Sequence, residues 1–303
     1  MSHISTIRPL CIAGAAALVV ASFAPAGAQA AEPLTCGATV TVNTVLTADL
    51  DCTDSGGDGL VIGADNVVLN LNGFTISGGD GDLAPAGIRI DGRTGTRVLN
   101  GTITGFKAGM EIQQSTKTTV TGLDISAHYR GINVGGGGGH LLEKNNLHGH
   151  TGDAIRIAVS NNNVISKNTV TENVYGIGIA DDSSGTRVEK NVADKNRHFG
   201  ISAYSKATNT VFEKNVVSNT TFDGISASAD TTFTHLEKNQ VTTSLWGDGI
   251  HIDTPSATLI KNTSTDNGEL GIAAPEGVTA EKNLAARNGN PAQCTGVVCL
   301  VAP

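Results

Sequence analysis

Histidine, arginine and acidic side chains are concentrated in one short stretch near the middle of the chain. The set comprises His148, His150, Asp153 and Arg156, with Tyr129 and Arg130 upstream of them. Abstraction of the C5 proton of a uronic acid requires a base, a cation facing the carboxylate and a proton donor. We expect His148 or His150 to act as the base. Arg130 or Arg156 would then meet the carboxylate, and Tyr129 would donate the proton, which predicts lyase-like or epimerase-like chemistry.

A weaker candidate lies closer to the C-terminal end, where Asp223, Asp248, His251 and Asp253 occur. Paired carboxylates on neighbouring repeats are what a glycoside hydrolase requires, but the usual hydrolase motifs are not recognisable in order. Metal ligation is not indicated either. The sequence has no run of carboxylates suited to calcium, and two histidines at 148 and 150 are too few ligands for zinc. We therefore expect no metal and no other cofactor.

The charge balance of the chain excludes some classes of binding partner. The chain carries 20 basic and 28 acidic residues, a net charge of −8, which becomes −9 once Arg8 is removed with the leader described below. An acidic chain lacks the basic face that binds phosphate backbones, so we expect no nucleic-acid partner. The arginines and histidines between 130 and 156 are a local exception. Their short-range field would attract a uronate carboxylate despite the overall charge.

A short motif recurs through most of the chain and predicts the fold. Its nine copies, spaced by 22 to 25 residues, are AGIRI at 86–90, AGMEI at 108–112, RGINV at 130–134, DAIRI at 153–157, YGIGI at 175–179, FGISA at 199–203, DGISA at 223–227, DGIHI at 248–252 and LGIAA at 270–274. A second motif ending in Lys-Asn follows half a period later. Alternating Val, Ile and Thr with Asn and Gly between them predicts short strands and no helix. We predict an all-β, single-stranded right-handed parallel β-helix of about ten rungs.

Each G-I-x-I strand predicts which side chains face outward. The two Ile positions point inward and stack between coils, so the x position between them is exposed. The substrate-binding candidates on this face are Arg89, Glu111, Asn133 and His251, joined by Trp246 and Asp248 from the preceding turn. That turn also holds six of the ten aromatic residues that follow the leader. They indicate either stacking on sugar rings or a sealed corner of the core. The Asn of each Lys-Asn pair is expected to take a left-handed φ in a tight bend.

Four cysteines follow the leader: Cys36, Cys52, Cys294 and Cys299. An even number in an exported chain indicates disulfides. Ten rungs at about 4.8 Å each place the chain ends roughly 45 Å apart, whereas bridged Cα atoms lie within about 7 Å. Cys36–Cys52 and Cys294–Cys299 is therefore the predicted pairing, and each bridge would fasten an end cap.

The N-terminal segment predicts export. Arg8, an apolar stretch and Ala28-Gln29-Ala30 are typical of a signal peptide over 1–30, cleaved near Ala30, so we expect a secreted protein. No later stretch reaches the roughly 20 apolar residues of a spanning helix, so we expect no membrane span. The remaining chain divides into an N-terminal cap at 31–57, the β-helix at 58–290 and a C-terminal cap or tail at 291–303.

Two further segments carry a family resemblance. CGATVTVNTVLTADLDC at 36–52, GLVIGADNVVLNLNGFTISG at 59–78 and the PbH1-type coils after them resemble the bacterial secreted β-helix proteins of the pectate-lyase-like superfamily. This resemblance implies that substrates lie along the outer face of the G-I-x-I strands. The superfamily contains polysaccharide lyases, pectin hydrolases, uronate epimerases, phage tailspikes and a copper-accessory protein, so it leaves the activity open.

The leading hypothesis is an exported protein that binds extracellular or cell-surface polysaccharide, uronic-acid glycans above all. Whether it also catalyses a reaction is left open. The uniform coil length leaves little chain for the walls of a deep, water-excluding pocket, which counts against catalysis. The alternatives are a non-catalytic structural or surface-interaction rod and a metal-accessory protein. The sequence gives no indication of the oligomeric state.

Overall fold

Apolar and polar residues alternate along short strands, and the chain folds into a parallel β-solenoid. Each strand pairs with its counterpart one coil later. A computed structural model describes residues 34–79 and 85–301. The predicted signal peptide, residues 1–30, lies outside the described residues, as does the start of the predicted N-terminal cap. No helix long and apolar enough to cross a membrane occurs in the described ranges.

Three lengthwise faces make up the solenoid. Face 1 is a parallel sheet of twelve strands built around the G-I-x-I motifs. Its strands are Ala38–Val40, Leu60–Ile62, Ala86–Asp91, Ala108–Gln113, Arg130–Gly135, Asp153–Ala158, Tyr175–Ala180, Ile201–Ala203, Ile225–Ala227, Ile250–Ile252, Ile272–Ala273 and Cys294–Thr295. The prediction of a parallel β-helix is confirmed. The described residues give twelve strands on this face because segments of both predicted caps, 38–40 and 294–295, also join the sheet.

Faces 2 and 3 complete each coil. Arg97–Thr104 and Thr119–Ser126 run from face 2 into face 3 without a break. The other strands of face 2 are Thr44–Val45, Val68–Asn70, Leu141–Glu143, Val164–Ser166, Arg187–Glu189, Val211–Glu213, His235–Glu237, Thr258–Ile260 and Thr279–Glu281. Those of face 3 are Leu50–Cys52, Thr75–Gly78, Asn146–His148, Thr169–Thr171, Val192–Asp194, Val216–Ser218, Gln240–Thr242, Thr263–Thr265, Leu284–Ala286 and Leu300–Val301.

The core is a narrow column of aliphatic side chains between the three faces. Ile155 and Ile157 of one coil, for example, pair with Ile177 and Ile179 of the next, and all four are fully buried. This confirms the inward direction predicted for both Ile positions of the motif. An isolated coil would leave its apolar side chains exposed to water. Neighbouring coils cover that surface, and each Å² buried stabilises the fold by about 25 cal/mol.

Asparagine side chains form a ladder along the bend between faces 2 and 3. In successive coils the side-chain Nδ2 donates to the next Asn Oδ1 at about 3.0 Å, as from Asn191 to Asn215 and from Asn215 to Asn239. Here the prediction needs correction, because the left-handed φ belongs to the preceding Lys, such as Lys190 and Lys214. The Lys takes the bend at the surface, which turns the Asn inward to satisfy buried backbone groups.

Both predicted disulfides are present at opposite ends of the described chain. Cys36 and Cys52 are bridged with Cα atoms 5.6 Å apart, and Cys294 and Cys299 with Cα atoms 6.3 Å apart. The pairing is therefore confirmed. Two disulfides are also consistent with an oxidising, exported location.

Candidate functional site

The outward x positions of face 1 form one straight column. Parallel register places Arg89 beside Glu111, then Asn133, Arg156, Gly178, Ser202, Ser226 and His251. At about 4.8 Å per coil, seven steps from Arg89 to His251 span roughly 34 Å. The column is long enough to contact several consecutive units of an extended polymer.

A pocket of about 450 Å³ opens on this column over the middle coils. Three predicted residues line it: Arg130, Asp153 and Arg156. The remaining lining residues are Tyr175, Phe199, Ser202, Tyr204, Ser226 and Ser228. The cationic side of the pocket was thus predicted from the sequence, and Tyr175 and Phe199 belong to the turn aromatics noted there, whereas Tyr204 and the three serines were not proposed as site residues.

Asp153 lies on the inner wall of this pocket. It begins its strand, is only 7% exposed, and accepts a hydrogen bond from Arg130 Nε to Oδ2 at 3.3 Å. Burial raises the pKa of Asp153 above its ordinary value, although the charges of Arg130 and Arg156 act to lower it. A carboxylate whose pKa is raised toward neutrality is a better proton acceptor than an exposed one.

Tyr204 faces Asp153 from the neighbouring wall. Its hydroxyl interacts with the guanidinium of Arg156, which also forms an ion pair with Asp181. Burial, followed by the negative charge of Asp153, raises the pKa of Tyr204. The phenol is therefore protonated at neutral pH and able to donate. The sequence analysis missed Tyr204. Its direction could have been predicted, because side chains alternate along a strand and position 204 is the next outward position after Ser202.

Gly178 lies buried beneath these groups, and its lack of a side chain lets both of them approach the strand. A Cβ atom built there would lie 3.1 Å from the Tyr204 hydroxyl oxygen and 3.6 Å from Asp153 Oδ1. The Tyr204 hydroxyl and the Asp153 carboxylate are thus neighbours above Gly178. The coils on either side place Arg156 and Ser202 next to Gly178. A reacting substrate atom in the pocket beside Asp153 and Tyr204 would meet a proton acceptor and a proton donor together, as acid–base catalysis requires.

A smaller pocket of about 270 Å³ continues the groove toward the N-terminal end. It contains the predicted residues Arg89, Glu111, Tyr129, Arg130 and Asn133. Two polar contacts lie in it: Arg89 with Asp58 at 2.6 Å, and Asn133 Nδ2 with Glu111 Oε1 at 2.9 Å. The Arg130 guanidinium lies 5.0 Å from the centre of the Tyr129 ring. Arg130 lines both pockets, so they are adjoining parts of one groove.

The structure places His148 and His150 away from Arg156, which corrects the prediction that either histidine acts as the base beside the arginines. His148 lies on face 3, where its Nε2 is 3.1 Å from Asp124 Oδ1. His150 is 2% exposed in the interior, and its Nδ1 accepts the His128 backbone N–H. Burial, helped by the nearby charges of His128 and His148, lowers the pKa of His150 to about 3. A ring buried at the bend between faces 3 and 1 cannot reach a substrate or act as a base near neutral pH.

The other predicted residues lie beyond the C-terminal side of the main pocket. Trp246 is 74% exposed at the turn, while Asp248 is nearly buried and accepts the Leu270 backbone N–H. His251 Nδ1 lies 2.7 Å from Asp248 Oδ2. That hydrogen bond raises the pKa of His251 to about 9 against the effect of partial burial, with further help from Asp223. Asp248 and His251 thus form a charged pair at the end of the column.

The aromatic turn residues divide into two groups. Phe106 is fully buried and stacks with the interior His128, which fits a sealed corner of the core. Tyr175, His198 and Phe222 stack on one another at ring-centre distances of 4.8 and 5.2 Å along the edge of face 1. This second group forms an accessible aromatic wall beside the main pocket, which suits stacking against sugar rings.

Comparisons with known proteins bear on the fold. Residues 86–241 match the family described as the right-handed beta helix region. A variant of the periplasmic alginate epimerase AlgG aligns with a TM-score of 0.72 at 12% identity, over 87% of this chain and 75% of that one. The A-module of the Azotobacter vinelandii mannuronan C-5 epimerase AlgE4 gives 0.60 at 12%, over 88% and 91%. The DFA-IIIase of Arthrobacter chlorophenolicus A6 gives 0.52 at 11%, over 82% and 71%. No curated protein sequence matches the chain.

Proposed function

Because the chain belongs to the right-handed β-helix family, in which a long outer face is available to a polymer, we propose that it binds an acidic polysaccharide along face 1. We further propose that it removes the C5 proton of a uronic-acid unit in the main pocket. The observation that carries this proposal is the convergence of Asp153 and Tyr204 in the pocket that Arg130 and Arg156 also line. Structural neighbours that act on alginate and mannuronan support the substrate class.

The proposed roles follow from the protonation states. The guanidinium of Arg156, with Arg130, faces the uronate carboxylate and stabilises the negative charge that develops when C5 loses its proton. Asp153 accepts that proton. Tyr204 donates one, either to C5 from the opposite side, which gives epimerisation, or to the leaving glycosidic oxygen, which gives β-elimination. Asp153 replaces the histidines as the base, and Tyr204 replaces Tyr129 as the acid.

Loss of the C5 proton tests this proposal, with one readout for each product. Chains of mannuronate, guluronate and galacturonate would be incubated with the protein in deuterated water. Epimerisation places deuterium at C5, which NMR detects, whereas β-elimination leaves a double bond at C4–C5, which ultraviolet absorbance detects. We expect one of these two products with at least one polymer. Asp153→Asn and Tyr204→Phe should each abolish it, whereas Asp124→Asn on face 3 should not.

Absence of both C5 deuterium and unsaturated uronate with every polymer, or unchanged product formation in both pocket variants, would refute the catalytic part. A glycan array on the same preparation then separates the alternatives. Retained binding to acidic glycans that weakens in Arg156→Ala would indicate a non-catalytic binding protein. Absence of glycan binding would favour the structural rod.

A further inference from the structure

A second group of chemically reactive side chains lies outside the proton-transfer pocket. Asp223, Asp248 and His251 each direct one donor atom into a shared space, with all three atoms within 4.8 Å of one another. Within residues 34–79 and 85–301, this is the one place where three such side chains converge in this way. The proposed reaction uses none of them.

Backbone N–H groups hold both carboxylates in position. Asp223 and Asp248 occupy the same place in successive coils, immediately before Gly-Ile. Asp223 Oδ1 accepts the Asp248 backbone N–H at 2.9 Å, and Asp248 Oδ1 accepts the Leu270 backbone N–H at 2.8 Å. Each carboxylate thus has one oxygen fixed by the backbone, and the second oxygen of Asp248 faces His251 Nδ1. This preorganisation lowers the entropy that ordering the ligands would otherwise cost.

The His251 imidazole is also held at Nε2, the nitrogen that faces away from the shared space. His251 Nε2 lies 3.1 Å from Asp253 Oδ1, while Nδ1 faces Asp248. A carboxylate on the distal nitrogen of a histidine is the usual outer support of metal-bound imidazoles, because it fixes the tautomer and makes the ligating nitrogen more basic. Three carboxylates against one imidazolium also leave an excess of negative charge that a divalent ion would offset.

We propose that Asp223, Asp248 and His251 bind one divalent transition-metal ion of the zinc class. The types of ligand atom that these side chains offer determine which ion the site prefers. One nitrogen and two carboxylate oxygens suit zinc, whereas calcium takes six to eight oxygen ligands. Three protein ligands leave the fourth position of a tetrahedral ion open. Ser226, which lines the main pocket, is the neighbour of His251 on face 1, so that open position adjoins the groove.

Binding requires one proton to leave. The proton now shared between His251 Nδ1 and Asp248 passes to solvent when the ion takes its place, and Nε2 keeps its hydrogen toward Asp253. Neither electrons nor a further reactant are needed. The inference does not depend on the proposed reaction, because it concerns other side chains and is tested with metal alone.

Direct titration provides the test. Protein freed of metal by a chelator would be titrated at mildly alkaline pH with Zn²⁺ by calorimetry, with Co²⁺ by visible absorption, and with Ca²⁺ for comparison. We expect one Zn²⁺ per chain, a Co²⁺ spectrum typical of a four-coordinate site, and much weaker Ca²⁺ binding. His251→Ala should abolish the site, and Asp253→Asn should weaken Zn²⁺ roughly 10- to 100-fold.

His235→Ala is the matched control. This histidine also lies beside a carboxylate, 3.7 Å from Glu237, but on face 2 and without a third ligand. It should leave Zn²⁺ affinity unchanged. Circular dichroism would establish that each variant is folded, and Asp248→Asn gives a second variant that keeps the side-chain volume. Zn²⁺ binding that is absent, or equal in wild type and His251→Ala, would overturn the proposal.

Discussion

Acid should weaken this solenoid through its buried histidines before its carboxylates are protonated. His150 and His140 are buried in the interior, and the Nδ1 of each accepts a backbone N–H from the preceding coil. Protonation of Nδ1 would remove that acceptor and place a charge in the core. Burial accordingly lowers the pKa of His150 to about 3 and that of His140 to about 4, from 6.5.

The size of the effect follows from proton linkage. The unfolded chain takes up protons at both rings as the pH falls below 6.5, while the folded chain does not. Their stabilisation is therefore complete above pH 6.5 and is lost as the pH falls toward 4 and 3. At pH 4.5, two pH units below 6.5 at about 1.4 kcal/mol each give about 3 kcal/mol per ring and about 6 kcal/mol for both rings.

His150→Asn isolates one of the two contributions. The next coil already uses an asparagine at this place, since Asn173 Oδ1 accepts the His150 backbone N–H at 3.0 Å. The variant should therefore fold, with roughly 1–2 kcal/mol lost at pH 7 from reduced packing. Between pH 7 and 4.5, its free energy of unfolding should fall by about 3 kcal/mol less than that of wild type.

Urea unfolding followed by far-ultraviolet circular dichroism at several pH values measures this difference. Asn146→Ala, at an exposed position of the face 3 strand that precedes His150, is the control and should keep the wild-type slope. Equal slopes for wild type and His150→Asn would refute the reasoning. His150→Asn also tests the corrected site assignment, because loss of the C5 proton from substrate should survive the removal of His150.

Three further outcomes are expected. Asn215→Ala removes four ladder hydrogen bonds and should cost about 4 kcal/mol in urea unfolding, whereas Asn146→Ala on the surface should cost less than about 1 kcal/mol. Arg156→Ala should weaken acidic-glycan binding about tenfold or more in calorimetry, with stability within about 1 kcal/mol of wild type; Arg187→Ala on face 2 should leave binding unchanged. Gly178→Ala has an ordinary backbone φ and should fold, but its methyl group would lie 3.1 Å from the Tyr204 hydroxyl oxygen and displace that side chain, so loss of the C5 proton should slow about 100-fold.

The repeat made the fold predictable, because one motif copied nine times fixes both the period and the inward direction of its Ile residues. The site was predictable in so far as its residues lie on regular strands. Arg156 occupies an x position, and strand alternation alone directs it outward. Asp153 begins the same strand, which places it at the edge of the same pocket.

Prediction failed at the bends, where side-chain direction depends on backbone torsions that the pattern does not encode. His148 still belongs to face 3, and two residues later His150 has turned into the interior. The left-handed bend at Lys-Asn pairs was similarly assigned to the wrong residue. Tyr204 was overlooked because it lies beyond the motif, although its outward direction follows from the strand before it.

Because the outward x positions of face 1 recur once per coil, two groups of side chains on this column are always separated by a whole number of coils. The pocket around Arg156 and the group containing His251 are separated by four coils, about 19 Å. Duplicating one coil between them would move the two groups apart by one further step of about 4.8 Å while leaving each group's own contacts intact. Evolution or design could therefore change the length of polymer spanned by both groups in whole coils, without rebuilding either one.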